Sequence, residues 1–170
     1  MFRKPYHWLP VLLAVLAAGG ARALPEDREK PIYIESRTAV REEKKGVTVY
    51  EGDVTIEQGS ILIKGDKVTV YTANRQVERI VCVGDPAYYE QKPNAEDPPV
   101  VARARTIEYM LATDLVHLVE DASLEQQGTT LTGDRIDYDI KEEVVKARGD
   151  ASGKERIRMV IPPSQQKEVQ

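Results

Sequence analysis

The chain has few of the residues from which most catalytic and metal sites are built. Its 170 residues include one cysteine, two histidines, one tryptophan and one phenylalanine. Several of these sit at the extreme amino end. Arg3 and Lys4, an apolar stretch from Leu9 to Ala18 and the small-x-small triplet Ala21-Arg22-Ala23 read as a secretory signal peptide, residues 1–23, cleaved near Ala23. The apolar stretch is about half of the roughly 20 residues that a membrane-spanning helix needs. No cysteine follows the cleavage site to carry a lipid. Trp8 and Phe2 leave with the signal, so a mature chain starting at Leu24 has tyrosine as its only aromatic and His117 as its only histidine.

These shortages exclude whole classes of function. One histidine and one cysteine, Cys82, cannot assemble a His/Cys zinc site, and an intramolecular disulfide is impossible although an exported protein would tolerate one. There is no Gly-x-Ser-x-Gly nucleophile elbow, and the string nearest to a phosphate loop, Gly59 to Lys67, has the wrong spacing. Acidic residues are plentiful, but without Trp or Phe a platform for stacking sugars in a glycosidase is poorly supplied. The sequence predicts a protein that is not an enzyme and needs no cofactor or metal. Removing Arg3, Lys4 and Arg22 takes the net charge from −4 to −7, which disfavours nucleic acid and anionic membrane surfaces as partners.

What the chain does have is period-two alternation. Ile32/Ile34, Val47/Val49, Val54/Ile56, Ile61/Ile63, Val68/Val70, Ile136/Tyr138 and Ile157/Met159/Ile161 alternate with mostly polar residues, the pattern of half-buried strands. No stretch carries a helical period long enough to matter, and the predicted class is all-β. Five Gly-Asp pairs, at Gly52, Gly65, Gly84, Gly133 and Gly149, read as turns between these runs. Cys82, within Ile80-Val81-Cys82-Val83, reads as a small buried apolar residue.

The chain also repeats itself at an offset of 68 residues. Asp53, Glu57, Gly65, Asp66, Lys67 and Val68 align without a gap on Asp121, Glu125, Gly133, Asp134, Arg135 and Ile136. The repeat suggests stacked hairpins burying one continuous apolar face, and its phase puts His117 at the position of Val49, on the predicted inner face as a wall residue. Lys92 to Pro99, with three prolines and two acids, reads as a solvent loop, and Pro162-Pro163 opens a polar tail over residues 162–170. Residues 24–161 are long enough for one domain with one core. Pattern alone favours a filled sandwich core, as in a periplasmic carbohydrate-binding or structural β-sandwich.

Against that stands a resemblance. Pro31-Ile32-Tyr33-Ile34-Glu35-Ser36, Tyr50 to Gly59, Lys64 to Val68, Gly84-Asp85-Pro86-Ala87, Tyr109 to Ala112, Leu118 to Gln126, Gly133 to Tyr138 and Pro163-Ser164-Gln165 together resemble the OstA-like domain family of lipopolysaccharide-transport bridge proteins. The resemblance implies an open, twisted, V-shaped β-jelly-roll of antiparallel strands around an apolar groove for the acyl chains of lipid A. It also implies a periplasmic place and head-to-tail self-association. The amino-terminal edge would meet an inner-membrane anchored component and the carboxy-terminal edge an outer-membrane translocon. By the family's pattern Ile32, Ile34, Tyr89, Tyr109 and Leu111 line the groove. With them go the alternating positions Val47, Val49, Val54, Ile56, Ile61, Ile63, Val68, Val70, Leu124, Leu131, Ile136 and Tyr138. The edges open to a partner strand lie at Ile32 and Ile34 and at Ile157, Met159 and Ile161.

Overall fold

The computed structural model describes residues 26–93, 96–153 and 156–163. The expected signal peptide and residues 164–170 of the expected tail lie outside them. One helical turn, Glu26–Glu29 (α1), leads into Tyr33–Glu35 (β1), Thr38–Glu42 (β2), Val47–Gln58 (β3), Ile61–Ala73 (β4) and Gln76–Gln91 (β5). Val100–Met110 (β6), Leu115–Gln126 (β7), Thr129–Asp139 (β8), Val144–Arg148 (β9) and Arg158–Val160 (β10) follow, with a 3-10 turn at Glu43–Lys45. The fold is all-β, as the alternation indicates. The repeat is structural too: shifting β3 by 68 residues gives β7 end for end.

The ten strands of the described residues form one antiparallel sheet, with the path β1-β3-β4-β5-β6-β7-β8-β10 and with β2 and β9 beside it, paired to β3 and β8. The sheet is open, and each edge is made of two short strands. At one edge β1 pairs with Thr55 to Glu57 while β2 pairs with Val47 to Glu51 of the same β3. At the other, β10 pairs with Thr130 to Thr132 while β9 pairs with Arg135 to Asp139 of β8. The sheet therefore has two halves lying end to end along its strands.

A row of register shifts divides them. Pairing breaks between Glu51 and Val54, Lys64 and Lys67, Val83 and Ala87, Arg103 and Thr106, and Val119 and Ala122. Side-chain parity changes at this line. In β4 the buried residues are Ile61 and Ile63 before it and Val68 and Val70 after it; in β5 they are Ile80 and Cys82, then Ala87 and Tyr89. β6 and β8 switch in the same way, whereas β3 and β7 keep their parity by absorbing an extra residue in left-handed backbone. Gly52 and Asp53 have φ of 86° and 47°, and Glu120 and Asp121 have 63° and 52°. These are β-bulges, and they let both halves bury the same face.

That face is buried although no helix among the described residues covers it, which requires the sheet to fold on itself along the bulge line. One continuous core cluster draws on both halves. Tyr89 of one half and Tyr109 of the other meet edge to face, ring centroids 6.0 Å apart at 64°.

The expected Gly-Asp turns need correction. Four of the five pairs lie inside strands β3, β4, β5 and β8, on the crease; only Gly149-Asp150 falls outside a strand. Glycine is required there by close approach: a Cβ on Gly65 would stand 2.4 Å from Cys82 Sγ, and one on Gly133 2.9 Å from the Arg148 carbonyl oxygen. Paired runs that looked like hairpin arms, such as Val54/Ile56 behind Val47/Val49, are single long strands.

The two repeats carry different residues at the same strained position, which gives a paired prediction. Gly52 has a φ that an alanine rarely adopts, and its added Cβ would meet the Arg37 side chain at 2.8 Å. Gly52→Ala is expected to destabilise by about 1–2 kcal/mol. Glu120→Gly, at the equivalent position, relieves the same strain and is expected to be neutral or stabilising by up to about 1 kcal/mol. Urea midpoints at unchanged m-value check both.

Candidate functional site

The candidate site is the interior between the two halves, and its walls are aliphatic. Val54, Ile56, Ile61, Ile63, Val68 and Val70 from β3 and β4 are buried on the inner face, as are Tyr89, Tyr109, Leu124, Leu131, Ile136 and Tyr138 from β5 to β8. Ile32, Ile34 and Leu111 are half-buried and pack against this cluster. Ile34 pairs across to Ile56, so β1 continues the wall to the sheet's edge.

Val47 and Val49 do not belong to the wall. They pair with Tyr71 and Thr69, whereas the inward Val68 and Val70 pair with Tyr50 and Thr48. Directly paired residues share a face, so Val47 and Val49 lie on the outside and Tyr50 is the wall residue. His117 requires the same correction: it alternates with the buried Val116 and Leu118 and so faces outward. The repeat matched His117 to Val49 correctly, and the error lay in assigning every apolar run of β3 to one face. Sequence reading also missed Ile80, Ile107, Val116, Leu118 and Ile140. The alternation in Val116-His117-Leu118 and Ile80-Val81-Cys82 was the available signal.

The sheet is open, as expected, and the middle of its inner face is buried. Val68, Cys82, Tyr89, Leu118 and Ile136 are all 0% exposed; the two inner faces touch, and a water molecule does not reach the middle. The halves part near the carboxy-terminal edge, where a cavity of about 200 Å³ opens between Leu124, Leu131 and Met159 on one side and Val145 on the other, rimmed by Gln126, Gln127 and Thr129.

The polar groups of the interior are neutralised. The Tyr89 hydroxyl donates to Gln91 Oε1 at 2.6 Å, and burial, reinforced by Tyr109 and Tyr138, pushes its pKa well above the usual phenol value. Burial pushes the Cys82 thiol up to about 12, with the Asp66 carboxylate adding to the shift, and its Sγ donates to the Lys64 carbonyl oxygen at 3.3 Å. Cys82 is thus a core residue, as expected. Within α1, the buried Asp27 carboxylate accepts from the Ser60 backbone N–H at 3.0 Å and from the Ser60 hydroxyl.

The outer face carries the charges. Asp137 accepts from Arg135 Nε at 3.0 Å, lies 2.7 Å from His117 Nδ1 and 3.6 Å from Arg148. Burial alone would raise the Asp137 carboxyl, but the hydrogen bond from His117 and the charge and hydrogen bond of Arg135 outweigh it and hold the pKa below the ordinary aspartate value. A depressed folded pKa contributes stability that is present above the unfolded value and is lost as pH falls through the folded one. Asp137→Asn is therefore expected to lower the neutral-pH stability by about 1 kcal/mol and to flatten the loss of stability below about pH 4. Melting curves from pH 7 to 2 check this. Among the described residues no group of three His, Cys, Asp or Glu side chains could hold a metal ion.

The chain is a single open sheet creased onto its own aliphatic face. The profile of the LptA/(LptD N-terminal domain) LPS transport protein family matches residues 33–144. Lipopolysaccharide export system protein LptH of Pseudomonas aeruginosa is 40% identical over 165 residues, 91% of this chain and 94% of LptH. LptA of Haemophilus influenzae is 34% identical over 155 residues, 89% of this chain and 88% of that one, and Escherichia coli K12 LptA 35% over 148 residues, 85% and 78%. The crystal structure of P. aeruginosa LptH, described as the LptA-homologous periplasmic component of the lipopolysaccharide transport device, superposes with a TM-score of 0.76 at 38% identity over 82% of this chain and 100% of that one. The chain belongs to the LptA/LptD amino-terminal domain family of lipopolysaccharide transport proteins, a family of carriers, not of enzymes.

Proposed function

We propose that residues 24–161, freed of the signal peptide in the periplasm, form a carrier that takes lipid A acyl chains between its two half-sheets while saccharide and phosphates stay in water. The observation that carries this reading is the sealed inner face, made of Val, Ile, Leu, Ala and Tyr side chains with its few polar atoms satisfied. Lipid A has on the order of 70 methylene groups, and at about 0.8 kcal/mol each their exposure would cost roughly 50 kcal/mol, so an acyl chain crosses water only inside such a shield. Hydrocarbon of the chains replaces hydrocarbon of the opposite wall when the halves part.

The open edges suit relay between copies. Tyr33 and Val40 at one edge are 65% and 62% exposed, and Ile157, Met159, Val160 and Ile161 at the other are about half exposed. Head-to-tail pairing of β1/β2 with β9/β10 of the next copy makes a non-closing contact and a filament, which bridges an inner-membrane anchored component at the amino-terminal edge to an outer-membrane translocon at the carboxy-terminal edge. Photocrosslinkers at Ile34 and Tyr109 are expected to capture lipopolysaccharide, and one at Val49 on the outer face is not. Saccharide binding without lipid adducts from Ile34 or Tyr109 would favour a carbohydrate-binding sandwich.

A further inference from the structure

We propose that the row of bulges is a hinge, and that the ion pairs Arg37 with Asp53 and Arg105 with Asp121 are positioning residues that hold it at its closed angle. The inference rests on the proposed entry of acyl chains between the half-sheets. Arg37 stands in the gap between β1 and β2, the crease of the edge; its backbone N–H reaches the carbonyl oxygens of Glu51 and Gly52, both at 3.1 Å, and its guanidinium holds the Asp53 carboxylate. Arg105 stands in the corresponding gap of β6, its Nε 2.8 Å from Asp121 and its Nη1 3.5 Å from Asp85 of the β5 crease. The two arginines are 68 residues apart, and so are the two aspartates, so the same clamp recurs in both repeats.

Each clamp grips a residue that needs gripping. Asp53 and Asp121 have φ of 47° and 52°, a conformation that Asp tolerates better than most residues but that still stores strain. Because β3 to β8 run through the crease from one half to the other, the backbone conformation there sets the angle between the halves. The pairs lie on the outside, with side chains between 50% and 75% exposed. Exposed pairs of this kind are weak and salt-sensitive, which suits a joint that must yield when lipid enters.

The test is a distance measurement on the mature chain with Cys82→Ala and spin labels at Glu57 and Glu78, exposed residues near the free ends of the two halves. The parent is expected to give one narrow distribution that shifts to longer distance on adding lipopolysaccharide, and in the same direction in 1 M salt. Arg37→Ala with Arg105→Ala should shift it without lipid. Asp53→Asn with Asp121→Asn keeps a residue that tolerates positive φ and removes only the charge, so it should shift the distribution as the arginine variants do. Folded variants of both pairs with the parent's distribution would overturn the hinge, as would a parent indifferent to salt. Widening in the variants with no response to lipopolysaccharide would uphold the hinge and remove the proposed lipid entry.

Discussion

Val68→Asp is expected to prevent folding, whereas Ile34→Asp is expected to fold and fail as a carrier. Val68 has no accessible surface, sits just past the crease and packs among inner-wall residues of both halves. Burying its carboxylate there without a partner costs several kcal/mol, and the lost valine contacts add about 1.5–3 kcal/mol, against a total stability on the order of 5–15 kcal/mol. Ile34 is half-buried in a three-residue edge strand, so a carboxylate there can turn to water at a cost of about 1–2 kcal/mol. It would still leave a charge on the wall beside Ile56, where a methylene chain would have to lie. Urea unfolding separates the two variants, and complementation of a depletion strain reads the function. Full complementation by stably folded Ile34→Asp would count against the carrier mechanism.

Tyr89→Ala is expected to destabilise strongly, and the size of the loss depends on ligand. Tyr89 is fully buried between the half-sheets against Tyr109, and truncation of such an aromatic costs about 3–5 kcal/mol, part of it the empty volume left behind. A hydrocarbon ligand can occupy that volume. The variant is therefore expected to melt well below the parent when free and to regain more of its loss than the parent gains when saturated with lipopolysaccharide. Tyr89→Phe, which removes only the hydroxyl bonded to Gln91, should cost about 1 kcal/mol and show no such extra rescue. Equal stabilisation of parent and Tyr89→Ala by lipopolysaccharide would place the ligand away from this residue.

Much of this architecture was legible in the amino acids, and the failures share one origin. Alternation exposed the strand class because a half-buried sheet imposes period two, and the offset of 68 revealed the duplication because β3/β4 and β7/β8 do the same work twice. What the pattern could not reveal was that Gly52-Asp53 and Gly65-Asp66 punctuate strands instead of ending them. Glycine and aspartate serve a bulge for the same reasons that they serve a turn. Once a bulge is mistaken for a turn, the parity behind it is lost, and Val47, Val49 and His117 are assigned to the wrong face. The closed state of the interior was not legible either, since Val, Ile and Leu pave a filled core and a lipid groove alike. The resemblance supplied the groove, and the structure adds that the middle of its inner face is buried.

Hydrocarbon is expected to enter between the halves and touch the side chains that line the buried inner face. Isotope-filtered nuclear Overhauser spectra of methyl-labelled protein with carbon-13 lipopolysaccharide test it directly. Contacts from acyl methylenes to the methyl groups of Ile56, Val68, Ile107 and Leu118, with none to Val49 or Val83, are the predicted result. Contacts confined to the outer methyls, or inner methyls untouched at saturating ligand, would contradict it.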